Sequence, residues 1–130
     1  MIPQKIQKDI IEYQKIEAQL QIILQQKMQL QSKISESEQA LDLLKEQPAD
    51  VVLYKSVGSI MVKGISKESI EKELVEIKET TGMRLKSIET QEAKLKEKYD
   101  MFQKNISSAL NEMKKTGQEQ GKIDLNDEYQ

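Results

Sequence analysis

Residues 51–63 read VVLYKSVGSIMVK, and the rest of the chain is arranged around them. Two runs rich in β-branched and aromatic residues, 51–56 and 59–63, flank Val57-Gly58, where glycine supplies the positive φ of a tight reversal. Pro48 stops whatever precedes them. The stretch therefore predicts a β-hairpin over 51–63. A two-stranded hairpin is marginal in water, and this chain offers no further strands. The missing strands must come from other chains. The residues expected at that interface are Val51, Val52, Leu53, Tyr54, Val57, Gly58, Ile60, Met61 and Val62.

Composition explains why everything else is helical. The 130 residues include one Phe, no Trp and 32% charged side chains, too little for a thick core. Gln, Lys, Glu, Leu and Ile dominate, with two prolines and five glycines to interrupt them. A net charge of −2, with the signs well mixed, does not indicate a nucleic-acid surface. No cysteine is present, so there is no disulfide framework. No apolar run approaches the ~18 residues of a membrane span, and no signal-peptide pattern opens the chain. The expectation is a soluble cytoplasmic protein with no membrane partner.

Before the hairpin, steps of four and three residues from Ile2 give Ile2, Ile6, Asp9, Tyr13, Ile16, Leu20, Ile23, Lys27, Leu30, Ile34, Ser37, Leu41 and Leu44. Ten of these thirteen are apolar, and a stripe held in this register is the signature of a coiled coil. A helix over 4–46 follows, ended by Pro48. Two readings of Asp9, Lys27 and Ser37 stand, register markers or tolerated interruptions.

After the hairpin, Ser66 is a good N-cap and Glu68 suits the first turn of a helix over 67–115. Its seam is Ile70, Leu74, Ile77, Thr81, Leu85, Ile88, Glu92, Leu95, Tyr99, Phe102, Ile106, Ala109 and Met113, with eleven of thirteen apolar. One four-four step at Thr81–Leu85 is a stutter containing Gly82, read either as a soft point or as an ordinary surface glycine. Two arms of similar length joined by a hairpin should pair antiparallel, with Leu20 opposite Ala93, Ile34 opposite Glu79 and Ile6 close to Ile106. The fold class is thus mainly α: a long antiparallel two-helix coiled coil with a central β-hairpin that oligomerises, residues 1–115 in all. Residues 116–130, with four acids against one lysine and no periodicity, read as an acidic disordered tail.

Enzyme chemistry finds no support. Histidine and cysteine are absent, which removes the usual zinc, haem and nucleophile sets. Gly121-Lys122 is followed by Ile123 and is no phosphate loop, and Asp124, Asp127 and Glu128 lack the twelve-residue calcium pattern. No cofactor, metal or catalytic residue is expected.

The order helix, proline, VVLYKSVGSIMVK, capped helix, with TGMRLKSIETQEAKLKEK at 81–98, resembles the beta class of prefoldin subunits of archaeal type. YKSVG (Tyr54 to Gly58) followed by Val62-Lys63 is the most specific part of the match. The resemblance implies a hexamer of two alpha and four beta subunits whose hairpins form a β-barrel platform. It also implies capture of unfolded polypeptides at the tips of the arms without ATP, and their delivery to a group II chaperonin.

Near the chain ends the apolar residues exceed what two helices need. Ile2, Ile6, Ile10 and Ile11 lie at one end of the first arm, with Met101, Phe102, Ile106, Leu110 and Met113 on the second. Ile10, Ile11, Met101 and Leu110 fall off the seams, so these nine are the candidate client-binding residues, with ordinary end-packing as the alternative. A structural adaptor, with the arms as spacers, is the competing function. A pure spacer would reverse through a short polar loop rather than a hairpin.

Overall fold

The computed structural model describes residues 2–116; Met1 and residues 117–130 lie outside it, and with them all of the expected tail except Thr116, the last helical residue. Four elements follow one another: α1 (Gln4–Lys45), β1 (Leu53–Val57), β2 (Ile60–Ile65) and α2 (Lys67–Thr116). The end of α1 and the start of α2 each have a local cause. α1 ends where Pro48 lies three residues on, and its closing turn carries a hydrogen bond from the Gln47 N–H to the Leu44 carbonyl. The Lys67 ammonium donates to the carbonyl of Gln47 at 2.8 Å. α2 begins behind Ser66, whose hydroxyl oxygen accepts the Ser69 N–H at 3.1 Å, the N-cap bond its sequence predicted.

The seams are inward. All thirteen predicted positions from Ile2 to Leu44 and all thirteen from Ile70 to Met113 are buried or half-buried. Ile16, Ile23, Leu30 and Leu44 on α1 are buried, as is Thr81 on α2. Ser37 is also buried, and its hydroxyl donates back to the Lys33 carbonyl, which removes the cost of a polar group in the seam. α2 runs through Gly82 without interruption, and a Cβ there would meet nothing within 4 Å. The stutter does not break the helix.

Two units make up the chain. One joins 1–21 to the segment from Ala93 onward, and in it Tyr13 on α1 lies against Tyr99 on α2. The other is Ile22–Glu92, where Glu38 meets Lys78 and Lys27 meets Glu92 across the helix pair, above the hairpin's two strands. The antiparallel pairing of the arms is visible within each unit separately.

Two details of the hairpin differ from the expectation. The strands are 53–57 and 60–65, so the reversal is Gly58-Ser59 rather than Val57-Gly58. Gly58 has φ 60° while Ser59 is not in the positive region, the pattern of a two-residue type II′ turn with glycine first. Second, Gly64 does not end the hairpin. The register passes from Tyr54↔Lys63 to Leu53↔Ile65, so Gly64, at φ 101°, is the extra residue of a β-bulge.

Candidate functional site

Cross-strand partners share a face, so the register sorts the hairpin's side chains. Tyr54, Ser56, Met61 and Lys63 lie on one face, and Lys55, Val57, Ile60 and Val62 on the other. Simple alternation from Ile60 would send Ile65 to the first face. The bulge at Gly64 instead pairs it with Leu53 on the second, which then carries Leu53, Val57, Ile60, Val62 and Ile65. Its one charged member, Lys55, is drawn to Glu73 on α2 at 2.7 Å. Both partners are well exposed, so the bond positions the lysine more than it stabilises the fold.

Much of this apolar face is open. Val57 is 55% exposed, Ile60 65% and Val62 44%. Val52, Tyr54, Gly58 and Met61 are exposed as well, while Val51 and Leu53 are half-buried. The described chain has a two-stranded sheet with an unpaired outer edge on each strand. Ile65 belongs with these residues, and alternation alone could not place it there. The local signal for it was Gly64, a glycine inside a β-rich run.

At the chain-end unit the structure divides the nine candidates. Ile6 and Ile10 are buried at 7% and 6%. For Ile10 this corrects the sequence expectation: the seam turns through Ile6, Ile10 and Tyr13, while Asp9 is only half-buried beside it. A step of four then three keeps the inward stripe with an apolar side chain, where the three-four step would have placed a carboxylate. Ile2, Phe102, Ile106, Leu110 and Met113 are half-buried. Ile11, at 52%, and Met101, at 51%, are open to solvent.

Two pairs of polar seam members meet across the helices. The Tyr13 hydroxyl donates to that of Tyr99 at 2.7 Å, and the rings stack with centroids 4.6 Å apart. Burial, and then this hydrogen bond, push the Tyr13 hydroxyl up to about 12. Lys27 and Glu92, the interruptions of the two seams, meet each other at 3.0 Å with side chains only 20% and 15% exposed. Of the two readings of Lys27, register marker is the one its partner supports. Neither pairing was legible in either helix alone. Among the described residues, no group of acidic side chains is arranged to hold a metal ion, and no helix is long and apolar enough to cross a membrane.

Comparison with known proteins agrees with this architecture. The family model described as "Prefoldin subunit" matches residues 7–119. The prefoldin beta subunit of Thermococcus kodakarensis is 38% identical over 109 residues, 84% of this chain and 92% of its own length. That of Archaeoglobus fulgidus is 35% identical over 109 residues, covering 84% and 93% respectively. The crystal structure of the prefoldin beta subunit from Thermococcus strain KS-1 superposes with a TM-score of 0.77 at 38% identity, over 85% of this chain and 96% of that one. The chain belongs to the prefoldin family of chaperone subunits.

Proposed function

We propose that the chain is a beta-type subunit of a prefoldin complex, acting as a holdase without nucleotide. Its partners in this reading are alpha subunits and further beta subunits, as a hexamer of two alpha and four beta. The complex works in the cytoplasm and delivers clients to a group II chaperonin. The observation that carries it is the hairpin's open apolar face, Val57, Ile60 and Val62 above Leu53 and Ile65. Among the described residues nothing covers Val57, Ile60 or Val62, whereas strands added at both edges would let the sheet curl closed over them. A spacer has no need of such a face, and no residue in the chain supports a catalytic role.

Client capture is assigned to the paired helix ends carrying Ile2, Ile11, Met101, Phe102, Ile106, Leu110 and Met113. Ile6 and Ile10 support that surface from the seam rather than contact the client. Unfolded chains present apolar side chains in no fixed order, so their receptor needs apolar area and few directional hydrogen bonds. Methionine, unbranched and polarisable, adapts to such surfaces, and several subunits acting together turn weak contacts into avidity. The test is removal of residues 1–11 and of everything after Tyr99. Tyr13 and Tyr99 remain to close the shortened pair, and the hairpin is untouched. The expected result is intact assembly with sharply reduced suppression of client aggregation, and no effect of ATP on either form. Undiminished protection by the truncated assembly would place the client site elsewhere.

A further inference from the structure

The two open apolar residues of the chain-end unit share a setting. On α1, Ile11 has Lys8 three residues before it and Lys15 four after it, on the same side of the helix. On α2, Met101 has Lys98 three residues before it and Lys104 three after it, all three exposed, with Glu97 the one acid a turn away on that face. Among the described residues only Lys15 of these four has an ion-pair partner, Glu12, at 3.4 Å. The excess of cations is regional: α2 carries six lysines and three acids from Lys94 to Lys115. An apolar side chain rimmed by cations suits a peptide that alternates apolar and acidic residues.

Such a peptide is present in the same chain. Residues 123–129 read IDLNDEY, three apolar or aromatic residues set among three acids. They begin seven residues beyond Thr116, where α2 ends in this same unit. Met101 lies fifteen residues back along α2, about 22 Å at the helical rise. An extended chain from residue 117 covers about 30 Å by Leu125 and about 43 Å by Tyr129, so the segment reaches with slack.

We propose that residues 123–129 of this chain dock on its own lysine-rimmed apolar surface around Met101. The aspartates and Glu128 meet Lys98 and Lys104, and Ile123, Leu125 or Tyr129 covers the exposed methionine. The docking itself is independent of the function proposed above. Its consequence rests on that reading: the segment holds the surface as a weak internal competitor, displaced by a client with more apolar area.

Because the chain has no cysteine, two can be introduced cleanly. In the assembled protein, Asn105→Cys, one turn from Met101 and exposed, is combined with Gln130→Cys, and a short bismaleimide is added at low salt. The expected result is an intramolecular cross-link. Its yield should fall roughly five- to ten-fold when Asp124, Asp127 and Glu128 are changed to Asn, Asn and Gln, the scale of three exposed ion pairs. It should fall similarly in 1 M salt, where the screening length is about 3 Å. A Cys at exposed Val75, in the other unit, is the control partner and should remain uncoupled. Equal yield at the two positions, no response to the charge changes, or coupling only between singly substituted chains mixed in one assembly would overturn the proposal. Deleting residues 117–130 separately should raise client protection at low salt. A charge-dependent cross-link without that gain would leave the docking standing and count against the client site instead.

Discussion

Replacing Glu92 by Gln tests whether the polar seam pair acts as a buried interaction or a surface one. Glu92 lies between Ile88 and Leu95 along its seam, and Lys27 between Ile23 and Leu30 along the other. The ammonium and carboxylate are 3.0 Å apart with about a sixth to a fifth of each side chain exposed. A fully exposed pair is worth about 0.2–1 kcal/mol, and stripping one partner from a fully buried pair costs about 3–5 kcal/mol. With partial burial, and an amide that keeps one hydrogen bond, the loss should be about 1–2 kcal/mol. That corresponds to a fall in melting temperature of roughly 4–8 °C for a chain of this size. The assay is urea and thermal unfolding followed by helical circular dichroism, at one fixed protein concentration because assembly also stabilises the fold. Exchanging the charges, Lys27→Glu with Glu92→Lys, should recover most of the loss. Making both positions apolar, Lys27→Met with Glu92→Leu, should be neutral or stabilising by about 1–3 kcal/mol while relaxing the register. A cost below about 0.5 kcal/mol for Glu92→Gln, or full loss of the effect in 1 M salt, would show the pair to be an ordinary surface contact.

Tyr99→Phe removes the acceptor for the Tyr13 hydroxyl and should cost about 1 kcal/mol near neutral pH. Tyr13 holds its proton more tightly folded than unfolded, so its contribution is complete below pH 10.0 and is lost as pH rises through about 12, a drop that melts across that window should show shrinking in the Phe variant. Gly64→Ala, at φ 101°, should cost about 1–3 kcal/mol and loosen Ile65 from the apolar face, whereas Gly82→Ala, in a helix with open space beside it, should stabilise by about 0.5–1 kcal/mol; opposite signs in thermal melts are the check. Ile60→Asp with Val62→Asp should release smaller species in sedimentation while helicity persists, and unchanged assemblies would remove the hairpin from its organising role.

What the sequence determined unaided was every feature written in a local period. Steps of three and four residues specify an inward stripe on a helix whatever it pairs with, and all twenty-six seam positions lie inward or half-inward. Pro48, Ser66 and a β-branched run around a glycine act through sterics and hydrogen bonds within a few residues, so the end of α1, the start of α2 and the presence of a hairpin between them were legible, though not its turn or its bulge. The tertiary structure decided whatever depends on who stands opposite. Ile10 rather than Asp9 enters the seam because burying isoleucine is favourable and burying a carboxylate is not, a choice open while both steps fit the same helix. Lys27 and Glu92 each looked like a flaw in its own seam and became a pair only across the helices. Ile65 reached the apolar face because Gly64 inserts one unpaired residue into β2, and side-chain direction in a strand reverses with every residue counted.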